Sequence, residues 1–167
     1  LLGMSSGGLI AFEMARQLRA AGHAVRLLAM LDTTVPDGQP GTFSDAQLTR
    51  AMAGELGCVD LLDAADGQLT LAALVTRALD AGRLPAGFTV AHAERLASVF
   101  RNTVTCHFAY RPQPLAVPAV VVRALQRERD DDQPPDWTPF IAGPLVSVDF
   151  DCSHGDLVTK AWAPDVA

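Results

Sequence analysis

The first long segment of the chain alternates apolar and polar positions with the spacing of a helix. Between Gly8 and Ala21 the apolar positions recur on one face of a helix, and charged side chains fall between them. These positions are Leu9, Ile10, Phe12, Met14, Ala15 and Leu18. Gly22 suits the left-handed position that commonly ends a helix. The pattern predicts an amphipathic helix that packs on a core by its apolar face.

Short, nearly continuous apolar runs follow later in the chain and predict buried strands. They are Val25–Leu31, Pro118–Ala124 and Leu145–Phe150. Such runs are typical of parallel strands that helices cover on both faces. Leu1 and Leu2 could be the end of a further buried strand. Together with the helix, these runs predict an α/β fold around a mostly parallel sheet.

The region between Asp32 and Pro118 breaks this alternation with helical patterns and no strand pattern. A capping-box sequence at Ser44–Gln47 opens a helix toward Leu56, and further helices are predicted over Leu69–Leu79 and Thr89–Ala109. The apolar face of the last helix is formed by Leu96, Val99, Phe100, Val104 and Phe108. We interpret residues 36–112 as a helical insertion above the carboxyl edge of the sheet, where a lid would lie. The alternative is a small helical subdomain with a structural role.

Large apolar side chains of this insertion have two possible uses. They could line a channel for a bulky apolar substrate, or they could form the packing core of the insertion, and we prefer the core for most of them. The side chains concerned are Leu56, Leu61, Leu62, Leu74, Leu79, Leu84, Phe88, Val99 and Phe100.

Composition narrows the classes of partner. The 167 residues are 49% hydrophobic and 19% charged, with a net charge of −6, which disfavours nucleic acid and anionic membranes as partners. No apolar run is long enough to span a bilayer. Cys58, Cys106 and Cys152 are odd in number and widely spaced, which favours free thiols in a reducing compartment over a disulfide framework or a metal site. We therefore expect a cytoplasmic protein.

The stretch Gly3-Met4-Ser5-Ser6-Gly7-Gly8 fits the pattern G-x-S-x-G of a nucleophile elbow. In an elbow the serine lies on a tight turn between a strand and a helix, and a Cβ at Gly3 or Gly7 would collide with a neighbouring element. The backbone N–H of Ser6 would then point at a developing oxyanion. The alternative is an ordinary Gly/Ser loop, but the apolar residues before it and the helix after it favour a nucleophile.

The position of this elbow carries an expectation about the rest of the domain. The chain begins two residues before the motif, although an elbow normally follows several strands and helices. We therefore expect residues 1–167 to be the C-terminal part of one domain. The N-terminal strands and a second oxyanion donor would lie outside this chain.

Two places in the chain offer an acid. Asp32 directly follows the strand pattern Val25–Leu31, and catalytic groups in open α/β sheets gather at the carboxyl ends of strands. An aspartate here could instead cap the following turn. Asp130, Asp131 and Asp132 follow the next strand pattern, but three adjacent charges are typical of a solvated run. The position of Asp32 at the carboxyl end of a predicted strand makes it the preferred acid.

One histidine lies at the same predicted edge. His154 follows the last strand pattern, and it completes the order Ser…Asp…His that α/β-hydrolases have. His23 lies in a turn at the opposite edge, while His92 and His107 lie in predicted helices, where surface or packing roles are usual. In this hypothesis Ser5 attacks an acyl carbonyl, His154 accepts its proton, and Asp32 orients the imidazole.

At these residues the chain resembles a known family. The run Gly3–Leu18 is similar to the thioesterase domains that end nonribosomal peptide synthetases and modular polyketide synthases, which carry a G-x-S-x-G-G elbow and an A-F-E-x-A-R-x-L helix. Their acid follows an L-L-D-like strand, here Leu31-Asp32, at 27 residues after Ser5. The passage Val99–Pro112 is similar to their lid-to-strand passage. Cys152–Leu157 matches their G-x-H-x-x-M/L loop in part, with Cys152 in the place of the glycine.

The resemblance implies an α/β-hydrolase fold with a helical lid and a Ser5–His154–Asp32 triad. It implies a substrate acyl chain carried on the phosphopantetheine arm of a carrier-protein domain, with no resident cofactor and no metal. The acyl-enzyme would be released by water or by an internal hydroxyl or amine that closes a ring. The acid at Asp32 favours the terminal, product-releasing type over the stand-alone editing type.

Other functions remain open at this stage. A generic serine esterase or lipase would use the same triad, but it gives no reason for the A-F-E-x-A-R helix. A catalytically silent hydrolase fold could dock a carrier protein without reacting. The presence of Ser5, Asp32 and His154 argues against the silent form.

Overall fold

The structure is a computed structural model, and it describes residues 1–62, 69–126 and 134–159. The acidic run Asp130–Asp132 lies outside these residues. The chain divides into two compact units, one formed by Leu1–Gln39 with His107–Ala167 and the other by Pro40–Cys106. None of the described helices is both long and apolar enough to cross a bilayer.

A parallel four-stranded sheet, ordered β1-β2-β3-β4, forms the first unit. The strands are β1 (Leu2–Met4), β2 (Leu28–Leu31), β3 (Ala119–Gln126) and β4 (Leu145–Ser153). Met4 pairs with Leu31, Leu31 with Val122, and Val122 with Val148. The strands therefore present their carboxyl ends along one edge, and the predicted parallel α/β fold is confirmed.

Helix α1 (Ser6–Ala20) crosses from β1 to β2. It ends as predicted, with Gly22 at φ +84° and the N–H of His23 bonded to Leu18 O at 2.9 Å. Leu9, Phe12 and Ala15 are buried, but Ile10 is 60% exposed and Met14 is 47% exposed. Only part of the predicted apolar face therefore lies against this sheet.

The core of this unit lies between α1 and the sheet. Phe12, Leu28, Met30 and Val121 are almost completely buried, together with Trp137. The rings of Phe12 and Trp137 lie 5.1 Å apart between centroids. Trp137 directly precedes a short 3₁₀ helix, Thr138–Phe140.

All three strands predicted from apolar runs differ from the prediction in their bounds, and β3 is Ala119–Gln126 rather than Pro118–Ala124. β2 begins at Leu28 rather than Val25, and Leu27 is exposed. β4 continues beyond Phe150 to Ser153 because its pairing with β3 persists through a register shift to the pair Gln126 and Ser153. As a result, His154 directly follows the strand.

The second unit is helical, with α2 (Asp45–Glu55), α3 (Leu71–Asp80) and most of α4 (Val90–Ala109). The predicted capping box is present: Ser44 Oγ accepts from Gln47 N at 3.2 Å, and Gln47 Oε1 accepts from Ser44 N at 2.9 Å. The core holds Leu74, with Leu56, Leu61, Leu62 and Leu84 packed around it. Most of the large apolar side chains considered for a channel or a core thus pack within the insertion itself.

The predicted apolar face of α4 is wrong in its first half. Leu96 and Val99 are exposed, whereas Ala93 and Ala97 are buried. Ala97 packs with Leu48 and Met52 of α2. The prediction relied on large apolar residues, whereas the buried positions in this half of α4 are alanines.

A hydrogen-bonded network ties the segment after α4 to α1. Arg16 donates two hydrogen bonds of 2.7 Å to the carboxylate of Glu13, and the Tyr110 hydroxyl donates to the same carboxylate. The hydrogen bond from Arg16 is the main cause that lowers the pKa of Glu13 to about 2. Burial, with a smaller effect from Glu13, raises the pKa of Tyr110 to about 12. The Glu of the A-F-E-x-A-R helix thus anchors the returning chain.

Tyr110 is the single tyrosine of the chain, so its ionisation can be read directly. We expect tyrosinate absorbance to appear with a midpoint near pH 12 in the native protein. In Glu13→Gln the midpoint should fall, because the carboxylate no longer opposes a second negative charge. Circular dichroism at each pH separates this shift from unfolding. An unchanged midpoint in a folded Glu13→Gln protein would contradict the network.

Candidate functional site

Ser5 lies in the turn between β1 and α1 with φ 52° and ψ −128°. Its N–H donates to Leu31 O at 2.8 Å, which extends the pairing of β1 with β2. In the described part of the chain, the non-glycine residues with positive φ are Ser5 and Asp32, the latter at φ 43°. Backbone strain of this kind persists where the surroundings enforce it, and it concentrates at functional sites. The structure thus places strain on two of the predicted site residues.

The glycines around Ser5 allow the close approach of backbone that this turn needs. A Cβ on Gly3 would lie 2.1 Å from Gly7 O, and a Cβ on Gly8 would lie 1.8 Å from Thr33 Oγ1. Gly7 has open space around it, so the predicted collision at Gly7 is wrong. Gly3 and Gly8 are the positions where α1 packs against β1 and the segment after β2.

Ser6 is the first residue of α1. The N–H groups of the first helical turn have no acceptor within the helix, and the helix dipole adds positive character there. The backbone N–H of Ser6 therefore belongs to a group of donors that favours an anion beside Ser5.

Asp32 directly follows β2 and is 1% exposed. Its N–H donates to Val122 O at 2.7 Å, and its Oδ1 accepts from Ala124 N at 3.2 Å. Its Oδ2 lies 2.7 Å from His154 Nδ1. The carboxylate thus reaches across the end of β3 to His154. These contacts differ from those of an aspartate that caps the following turn, which was the alternative interpretation of Asp32.

His154 follows β4, and its side chain is 48% exposed. The loop that holds it is fixed by buried Leu157 and by a 2.6 Å hydrogen bond from Ser153 Oγ to Asp156 Oδ2. Cys152, in the position where the resembling family has glycine, packs in the cluster of Leu31 and Val122. Burial raises the pKa of its thiol, which keeps the thiol neutral.

The structure therefore brings Asp32 and His154 into direct contact and places Ser5 at the end of the adjacent strand. Within residues 1–62, 69–126 and 134–159 no hydrogen bond joins Ser5 Oγ to His154. Among these residues no three His, Cys, Asp or Glu side chains are arranged to hold a metal ion. The competing acids Asp130–Asp132 stay a prediction, since they lie outside the described residues.

The sequence analysis did not predict the buried side chains that contact the two residues after Asp32. Trp137 Nε1 donates to Thr33 O at 2.7 Å, across 104 positions of sequence, and His107 contacts Thr34 O. The sequence pattern explained His107 as a packing or surface histidine, and it is buried. The sequence around Trp137 and His107 contains no pattern that predicts a contact with the segment after Asp32. Only the tertiary fold brings these residues together.

Comparison with known proteins identifies the family. The family described as Thioesterase domain matches residues 1–167. The chain is 28% identical over 166 residues to a dimodular nonribosomal peptide synthase of Bacillus subtilis (strain 168), covering 94% of this chain and 7% of that protein. The chain therefore spans a small part of the length of this curated relative.

Solved structures share the fold. The four-domain nonribosomal peptide synthetase AB3403 matches with a TM-score of 0.79 at 22% identity, over 99% of this chain and 14% of that chain. RedJ, a thioesterase from the prodiginine pathway in Streptomyces coelicolor, matches with a TM-score of 0.64 at 23% identity, over 99% of this chain and 57% of RedJ. The α/β-hydrolase type of fold implied by the sequence is confirmed. This chain belongs to the thioesterase domain family.

Proposed function

We propose that the chain carries the catalytic residues of a chain-terminating thioesterase. In this proposal Ser5 takes a peptidyl or polyketide acyl chain from the phosphopantetheine thioester of a carrier protein. The product leaves by hydrolysis or macrocyclisation. The observation that carries the proposal is the 2.7 Å contact between Asp32 and His154, beside a strained serine, in a member of the thioesterase family.

Acylation begins with attack of Ser5 Oγ on the thioester carbonyl while His154 Nε2 takes the hydroxyl proton. Asp32 stabilises the resulting imidazolium through Nδ1. The C–S bond then breaks, and His154 returns the proton to the departing phosphopantetheine sulfur. The acyl group remains on Ser5 as an ester. The contact between Ser5 and His154 would form with substrate, since catalytic hydrogen bonds often tighten only in the complex.

Release of the acyl group follows the same series of steps with a second nucleophile. Water, or a hydroxyl or amine of the acyl chain itself, loses a proton to His154 as it attacks the ester carbonyl. The C–O bond to Ser5 breaks, and Ser5 regains the proton from His154. In both halves the carbonyl oxygen becomes an anion that the N–H of Ser6 would stabilise.

The partner and setting follow from the same proposal. The curated relative is a nonribosomal peptide synthase, which supports a carrier-protein domain as the donor of the acyl chain. The reaction requires no resident cofactor. The helical segment inserted after β2 is proposed to act as a lid. The three cysteines are unpaired, which agrees with a reducing cytoplasm.

The proposal is tested by presenting one acyl chain in three forms to the purified protein. The forms are the carrier-protein phosphopantetheine thioester, the N-acetylcysteamine thioester and the ethyl ester. We expect intact-mass analysis to show the protein with the acyl group added, and faster release from both thioesters than from the ester. A released product at the mass of the acid indicates hydrolysis, and a mass lower by one water indicates ring closure.

Two results would contradict this function. Equal rates with the ethyl ester and the thioesters would indicate a generic serine esterase. Binding of the carrier protein without an acyl adduct or product would indicate a docking module. The N-acetylcysteamine thioester serves as the control for carrier recognition, because it has the same reacting bond without the protein.

A further inference from the structure

The two backbone carbonyls that follow Asp32 are each held by the ring N–H of a buried side chain. Trp137 Nε1 donates to Thr33 O at 2.7 Å, and His107 Nε2 lies 2.9 Å from Thr34 O. Trp137 is 1% exposed, His107 is 7% exposed and Thr33 is fully buried. Both donors come from segments far from Asp32 in sequence, on the helix end before β3 and on the loop before β4.

The protonation of His107 follows from its surroundings. A carbonyl oxygen only accepts hydrogen bonds, so Nε2 must carry the proton that points at Thr34 O. His107 Nδ1 is buried without a hydrogen-bond partner among the described residues. Burial lowers the pKa of His107, while the hydrogen bond to Thr34 raises it by a smaller amount. The neutral ring therefore uses its one proton to hold the Thr34 carbonyl.

Asp32 needs such support because its backbone is in a conformation that non-glycine residues seldom adopt. The end of β3 holds Asp32 itself through Val122 O and Ala124 N. The absence of a Cβ on Gly8 leaves room for the Thr33 side chain. The carbonyls of Thr33 and Thr34 define the direction in which the chain leaves Asp32, and they are the atoms that Trp137 and His107 bind.

We propose that Trp137 and His107 are positioning residues that keep Asp32 in the strained conformation from which its carboxylate reaches His154. They act through the backbone of Thr33 and Thr34 and touch no reacting atom. The kinetic consequence rests on the proposed function. The structural consequence, a single orientation of the His154 ring toward Asp32, is measurable without turnover.

The test starts with Trp137→Phe, which keeps an aromatic ring against Phe12 but removes the N–H. We expect kcat to fall by up to about 100-fold, the scale of a small misplacement of a catalytic group, with little change in KM. Long-range ¹H–¹⁵N spectra should show His154 as the Nδ1-protonated tautomer in the native protein. In Trp137→Phe they should show a mixture of both tautomers.

His107 offers a matched pair of variants. His107→Gln keeps an N–H donor near the position of Nε2, and His107→Leu removes it while filling the site with an apolar side chain. We expect the leucine variant to reproduce the loss of kcat and the mixed tautomer. We expect the glutamine variant to recover most of both. This rescue separates positioning from a general loss of packing.

Phe140→Leu is the control for packing around Trp137. The ring of Phe140 lies 5.9 Å from that of Trp137 between centroids, and its loss leaves the Trp137 N–H in place. We expect a lower Tm with unchanged kcat and a single His154 tautomer. The proposal is overturned if Trp137→Phe keeps the native tautomer and kcat, or if Phe140→Leu changes both as much. If the native protein shows no turnover, the proposed function fails, and the tautomer comparison still decides this inference.

Discussion

Replacing Ser5 with alanine should lower kcat by about 10⁴-fold to 10⁶-fold, the range spanned when members of a serine triad are removed one at a time. Alanine has no hydroxyl, so no acyl-enzyme can form and release cannot proceed through two steps. The Cβ is retained at φ 52°, so the backbone strain is the same in both proteins. Tm should therefore change little. Steady-state kinetics and intact mass after addition of an acyl-N-acetylcysteamine thioester measure the effect.

Ser6→Ala is the matched control for this experiment. Ser6 is adjacent to Ser5, and our proposal uses only its backbone N–H, which alanine also has. We expect this variant to form the acyl adduct and to retain most of the native kcat. An acyl adduct that persists in Ser5→Ala, or that disappears in Ser6→Ala, would mean that the nucleophile is misassigned.

The second large effect is expected at the acid. Under the proposed mechanism Asp32→Asn should lower kcat by about 10⁴-fold, because an amide stabilises the wrong tautomer of His154 and cannot stabilise its cation. Asparagine has nearly the same shape, so Oδ1 can still accept the hydrogen bond from Ala124 N. Ser5 should still react with a serine-directed fluorophosphonate, though more slowly. This labelling would show that the variant is folded. Single-turnover kinetics would then measure how much slower its acylation is.

A triple variant of the competing acidic run provides the control for Asp32. In this variant Asp130, Asp131 and Asp132 are all changed to asparagine, while Asp32 and His154, which lie in contact, are kept. We expect this variant to keep the native kcat. The opposite pattern, an active Asp32→Asn and an inactive triple variant, would move the role of the acid to that run.

The sequence was most informative where local chemistry decides the structure. The apolar runs predicted parallel strands whose carboxyl ends meet, so Ser5, Asp32 and His154 could be placed at one edge of a sheet. The capping box at Ser44 predicted the start of α2 because its two hydrogen bonds involve only neighbouring residues. The expectation that catalytic groups lie at the carboxyl ends of strands likewise selected His154 over the other histidines. In the structure the His154 ring contacts the Asp32 carboxylate.

The features that sequence did not predict depend on contacts between distant segments. β4 extends to Ser153 because β3 continues beside it. The residues of β4 alone do not predict this extension. Ala93 and Ala97 are buried on α4, and Ala97 packs against Leu48 and Met52 of α2, but alanine carries little signal in a hydrophobic pattern. The hydrogen bond from Trp137 to Thr33 depends on the packing of the whole unit. The roles of the second oxyanion donor and the lid stay predictions.

The positive φ of Ser5 has a consequence for how this domain can be engineered. Glycine adopts such a conformation without the steric cost that serine bears, so glycine at this position would raise the free energy of unfolding. The proposed role of Ser5 therefore requires a residue that is less stable than glycine at this position, as is common where active sites are strained. A library screened only for heat resistance would tend to exchange this proposed nucleophile for glycine. Directed evolution of this domain needs selection for turnover in every round.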